Sequence, residues 1–75
     1  MDGMIEKNGL TLVHACQTER GMGRTIWWNG SATFTLRGQR GWNITAFTNY
    51  HADNVEQAGE IAAEWWIDYG QHEYS

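Results

Sequence analysis

Thr25-Ile26-Trp27-Trp28-Asn29-Gly30-Ser31-Ala32-Thr33-Phe34-Thr35-Leu36 is the stretch whose reading decides the fold. Two runs of β-branched and aromatic residues flank an Asn-Gly pair that tolerates the positive φ of a type I′ turn, so the segment reads as a β-hairpin. With Asn29 and Gly30 as the two loop residues, Trp28 pairs with Ser31, Trp27 with Ala32, Ile26 with Thr33 and Thr25 with Phe34. Trp27, Ala32, Phe34 and Leu36 then share one face, the expected core, while Arg24, Ile26, Trp28, Thr33, Thr35 and Arg37 share the other.

Upstream of the hairpin, Leu10, Leu12, His14 and Cys16 alternate with Thr11, Val13 and Ala15, the period of a strand. Gln17 to Gly23 contains two glycines and little apolar signal and reads as a loop. Downstream, Arg37-Gly38-Gln39-Arg40-Gly41 is a second turn, after which Trp42, Ile44 and Ala46 alternate with Asn43, Thr45 and Phe47 in a further strand. Asp53, with Glu56 three residues on, is a helix-starting signal for a helix from about Asn54 to Tyr69, ended by Gly70. At 100° per residue, Val55, Ala58, Ala62, Trp65, Trp66 and Tyr69 lie in one arc with Ile61 at its edge, and Gly59 permits close approach to a sheet. The expected fold is α+β: a three- to four-stranded antiparallel meander packed on one face by a single C-terminal helix, one domain over residues 1–75 with mobile ends at about 1–8 and 71–75.

A chain of 75 residues buries only about 60% of its unfolded surface, and its five tryptophans offset that handicap by supplying large apolar area. The lone cysteine, Cys16, forms no internal disulfide, and no segment reads as a signal peptide or a membrane span, so a cytoplasmic location is expected. Charge is segregated along the chain. Between Arg20 and Ala52 the charged residues are four arginines, whereas Asp53 to Ser75 carries six carboxylates and no Lys or Arg, within a net charge of −4.

Glu56, Glu60, Glu64 and Asp68 recur every four residues, opposite the apolar arc, and form an acidic row along the helix. Like charges at that spacing oppose helix formation by roughly 0.2–0.5 kcal/mol per pair, and no basic residue within the helix relieves them. The row spans about 18 Å with a charge every ~6 Å, against a rise of about 3.4 Å between phosphates along a DNA strand. Ile67 falls among these acids as an apolar anchor. The pattern predicts a partner-binding face made of Glu56, Glu60, Glu64, Ile67 and Asp68, imitating nucleic acid or docking on a basic protein groove. A solvated face of an amphipathic helix accounts for the same pattern.

The alternative site lies on the outer sheet face, where Arg24, Ile26, Trp28, Arg37 and Phe47 combine cations with stacking surfaces suited to single-stranded nucleic acid. Net acidity weighs against that reading, and cover by the N-terminal segment or by a second copy of the chain, a homodimeric module, accounts for the same hydrophobes. His14, Cys16, His51 and His72 lack the spacing of a metal site, and Cys16 with His14 lacks a third catalytic member, so neither a metal, a cofactor nor an enzyme is expected. No diagnostic motif places the chain in a family. In size, acidity and strand–strand–strand–helix layout it resembles the small inhibitors that bacteriophages use against host enzymes or CRISPR complexes, a resemblance that implies a binding function.

Overall fold

The helix stripe and the central hairpin assemble around one set of aromatic rings. A computed structural model describes residues 5–74; the expectations for residues 1–4 and 75 lie outside it. Five antiparallel strands, β1 (Glu6–Lys7), β2 (Leu10–Gln17), β3 (Gly23–Trp28), β4 (Phe34–Gly38) and β5 (Asn43–Phe47), lie in chain order in one sheet. Helix α1 (Val55–Trp65), a π-helical turn (Trp66–Gly70) and the short α2 (Gln71–Glu73) follow without a break. This is the α+β meander and C-terminal helix expected, with more strands than the predicted three to four because Glu6–Lys7 pairs with β2 through Glu6↔Thr11 and Lys7↔Leu10. Glu6–Lys7 and Gln71–Glu73, expected within mobile ends, are thus strand and helix.

The hairpin forms, with a different register. Trp28 pairs with Phe34, Trp27 with Thr35 and Ile26 with Leu36, so five residues, 29–33, make the loop. Asn29 is the cause: its Oδ1 accepts hydrogen bonds from the backbone N–H of Ser31 (2.9 Å) and of Thr33 (3.1 Å), an Asx-type turn that competes with the two-residue type I′ turn. An odd shift of pairing sends side chains to the opposite face. Ile26, Trp28, Phe34 and Leu36 therefore gather on the helix side, where all four are buried, and Trp27 lies on the other side instead of in the predicted core. The shift is favourable because the predicted register would leave Ile26 and Trp28 on the outer face, and burying a large apolar side chain contributes about 1.5–3 kcal/mol.

In β2 the strict alternation read from Leu10 to Cys16 is interrupted by a register shift between Leu12 and His14. Val13 reaches the core, and Cys16, opposite Arg24, packs at its edge. A similar shift between Leu36 and Arg37 on the β4–β5 ladder lets both Ile44 and Phe47 contact the core, against the alternation predicted for that strand.

Asn54, not Asp53, caps α1: its Oδ1 accepts from the Gln57 N–H at 2.8 Å, and Gln57 Oε1 in return accepts from the Asp53 N–H at 2.6 Å. Ala58 and Ala62 are fully buried and Trp65 and Trp66 nearly so, while a Cβ on Gly59 would sit 3.2 Å from the Val13 carbonyl oxygen, the close helix–sheet approach expected of that glycine. Gly70 does not end the helix. It has ordinary helical φ and ψ of −59° and −42°, and the Gln71 N–H reaches the Trp66 carbonyl five residues back. That wider turn places Gly70 beneath Trp65, where α-helical spacing would have placed Tyr69. An added Cβ on Gly70 would lie 2.6 Å from the Trp65 ring and 2.7 Å from the Trp66 ring, so only glycine fits. Tyr69, predicted in the core stripe, is accordingly half exposed.

Candidate functional site

The acidic row is built as the helix periodicity requires. Glu56, Glu60 and Glu64 on α1 and Asp68 on the π turn are all exposed. None makes an ion pair among the described residues, whose single pair joins His51 to Asp53 at 3.1 Å, before the helix begins. The arginines of the sheet do not fold back to neutralise the row. The π turn adds an apolar element, because Ile67, Asp68 and Tyr69 all face solvent between the buried Trp66 and Gly70. Ile67 is 60% exposed.

Tyr69 also borders a cleft of about 390 Å³ between β5 and the helix, lined by Phe47, Tyr50, Trp65 and Tyr74. Phe34, Phe47 and Trp65 form a continuous stack, with centroid separations of 5.0 Å and 4.2 Å and nearly parallel rings. Tyr50 closes on Phe47 edge-on at 6.1 Å. The negative charge of Glu73, with lesser contributions from desolvation and Tyr74, raises the Tyr69 phenol pKa above its ordinary value. The sequence gives no signal for this aromatic cleft, because the helical period assigns Tyr69 to the core and Tyr50 falls in no expected element.

The alternative set does not form an open face. Ile26 and Trp28 are buried beneath the chain's own helix, and Phe47 is held between Phe34 and Trp65. No second copy is needed to cover them. Arg37, paired with Thr25, projects from the opposite surface to Ile26 and Trp28, so the five residues are divided by the sheet.

That opposite surface holds a feature the predicted register concealed. A shallow groove of about 1100 Å³ runs along it and around the Gly38–Trp42 turn, and among the described residues its lining includes Lys7, Arg24, Arg37 and Arg40 but no Asp or Glu. Arg37 is only 9% exposed. Its Nε donates to Asn43 Oδ1 at 3.0 Å and its guanidinium carbon lies 4.9 Å from the centre of the Trp27 ring, whose own N–H donates to Thr25 Oγ1 at 2.8 Å. Trp42, 55% exposed, borders the groove and stacks against Gly38, where a Cβ would lie 2.6 Å from the indole. Arg24 is equally buried; one amino group donates to the Gly23 carbonyl at 2.9 Å, and its Nε has no acceptor among the described residues.

Cys16 is held as a neutral thiol. Burial pushes its pKa up to about 11, outweighing the opposing charge of Arg24, and its Sγ makes a long contact of 3.7 Å with the Arg24 carbonyl oxygen. Burial lowers the His14 pKa, so the imidazole is also neutral at pH 7. Among the described residues no three His, Cys, Asp or Glu side chains converge on a point where a metal ion would sit, and no helix is long and apolar enough to cross a membrane. Comparisons with protein-family models, with curated proteins and with solved structures find no match to this chain.

Proposed function

We propose that this protein is a non-catalytic binding module whose partner docks on the exposed face of α1 and the π turn. The observation that carries the reading is that Glu56, Glu60, Glu64 and Asp68 are exposed without internal ion pairs, beside an exposed apolar Ile67. A row of uncompensated carboxylates costs helix stability and draws in a positively charged surface, and an apolar side chain among them supplies the desolvated contact that long-range attraction lacks. The aromatic cleft at Tyr69 extends the same surface: it offers π faces to a lysine or arginine of the partner. The partner is a protein with a basic groove, of the kind that handles nucleic acid, and occupying that groove inhibits it. This is the mode of action implied by the resemblance to small phage inhibitors.

The test is affinity capture from a cell lysate at low and at high salt, with the bound proteins identified by mass spectrometry. The expected result is a basic nucleic-acid-handling protein or complex that is released as salt rises and is displaced by added DNA. Recovery of partners that persist in high salt and ignore DNA would contradict the reading.

A further inference from the structure

The groove on the far side of the sheet is a second site, and its chemistry is opposite to that of the helix. Arginine is almost never this buried without a paired acid, because a guanidinium drawn out of water loses hydration that a partner must return. Arg37 is 9% exposed, no carboxylate approaches it among the described residues, and its terminal amino groups make no hydrogen bond there. Those groups are not sealed in, since the one buried unpartnered side-chain nitrogen or oxygen among the described residues is the Nε of Arg24.

Arg37 is also held rigid. Asn43 fixes its Nε and Trp27 supports its flat face, so the fork of N–H donors is set in place before any ligand arrives. Lys7 and Arg40, both exposed, add charge along the same groove. A lone carboxylate would satisfy the fork and leave the flanking cations unused. A phosphate ester suits the fork, neighbouring phosphates along the groove suit the flanking cations, and the exposed indole of Trp42 at the rim offers a face on which a base can stack. The six carboxylates from Asp53 onward do not line this groove.

We infer that this groove binds nucleotide phosphate, with Arg37 as the oxyanion-binding fork, Lys7 and Arg40 as flanking phosphate contacts and Trp42 as the stacking platform. The ligand is a nucleotide, either free or as a unit of a single strand. The site goes beyond the partner-docking face and stands or falls independently of it, because the two use different residues on opposite sides of the sheet.

The experiment is fluorescence anisotropy of a labelled single-stranded thymidine oligonucleotide, with thymidine monophosphate as the competing probe. Saturable binding is expected, weakening about 20-fold between roughly 50 and 200 mM salt if three phosphate contacts each contribute a single-strand slope of about 0.7. Arg37→Gln should reduce affinity at least about tenfold, the loss expected for a charge-assisted hydrogen bond. The double variant Lys7→Gln/Arg40→Gln, confined to exposed side chains, covers the case in which Arg37→Gln disturbs the fold, and should weaken binding and flatten the salt dependence. Trp42→Phe should abolish ligand-induced quenching of tryptophan fluorescence. Competition by the mononucleotide at similar affinity identifies a free nucleotide as the ligand; binding of the oligonucleotide alone identifies a strand. Absence of saturable binding by either probe, or binding that Lys7→Gln/Arg40→Gln leaves unchanged, would overturn the site.

Discussion

Replacing Gly70 with alanine isolates the π turn that exposes Ile67 and Tyr69. In an ordinary helix interior this exchange stabilises by about 1 kcal/mol, because alanine is the better helix former. Gly70 has helical φ and ψ, so that gain applies here too. Against it stands the new methyl, which would meet the Trp65 ring at 2.6 Å and the Trp66 ring at 2.7 Å. Both indoles are nearly buried and Trp65 is stacked on Phe47 at 4.2 Å, so neither can swing away without opening the core. Overpacking of this kind costs about 1–3 kcal/mol, and a site closed on two sides belongs at the upper end. The expected net effect is a destabilisation of about 1–2 kcal/mol, a fall in thermal midpoint on the order of 5–15 °C for a domain of this size. Thermal unfolding followed by near-ultraviolet circular dichroism, which reports the tryptophan environment directly, measures it. Gly59→Ala, whose Cβ would meet one carbonyl oxygen at 3.2 Å, should lose less. A Gly70→Ala protein that melts at or above the wild-type temperature would refute the reasoning, since the helix would then have no steric need for glycine there.

Asn29→Ala removes the acceptor shared by the Ser31 and Thr33 N–H groups and should lower stability by about 1–2 kcal/mol in urea unfolding. Asn54→Ala removes the helix cap and should cost about 0.5–2 kcal/mol, whereas Asp53→Ala, at the position the sequence pattern favours for the cap, should cost less. The Cys16 thiol titrates at about 11 in the fold against 9.0 without the protein environment, so the fold favours its protonated form. That contribution is complete below pH 9 and is lost as pH rises through 11, so the wild type should lose stability faster than Cys16→Ser between those values, read as the difference of their urea midpoints.

How much of this was legible in the sequence depends on how strongly one period was specified. Ala58, Ala62, Trp65 and Trp66 recur at helical spacing over about two turns, and few arrangements bury them all, so the stripe and the acidic row opposite it are legible directly. The hairpin location was equally plain from Asn29-Gly30, but its register was not, because an asparagine beside glycine serves both a two-residue turn and the side-chain-bonded loop that forms here. The tie is broken by burial: the longer loop puts Ile26, Trp28, Phe34 and Leu36 on one face together. Everything that followed from register was lost with it, including the adjacency of Trp27 and Arg37 that builds the groove. Gly70 misled for a related reason. A glycine after a helical stripe reads as a stop, and only the positions of the Trp65 and Trp66 rings show that it is a packing residue.

The docking face is tested most directly by reversing its centre. Glu60→Lys/Glu64→Lys changes two exposed side chains that make no ion pair among the described residues, so folding should survive, as near-ultraviolet circular dichroism would verify. Association kinetics with the captured partner should then show an on-rate slowed by about tenfold or more, since charge steering of this kind is worth roughly 10–10³ in rate. An on-rate equal to that of the wild type at low salt, from a correctly folded variant, would contradict the account.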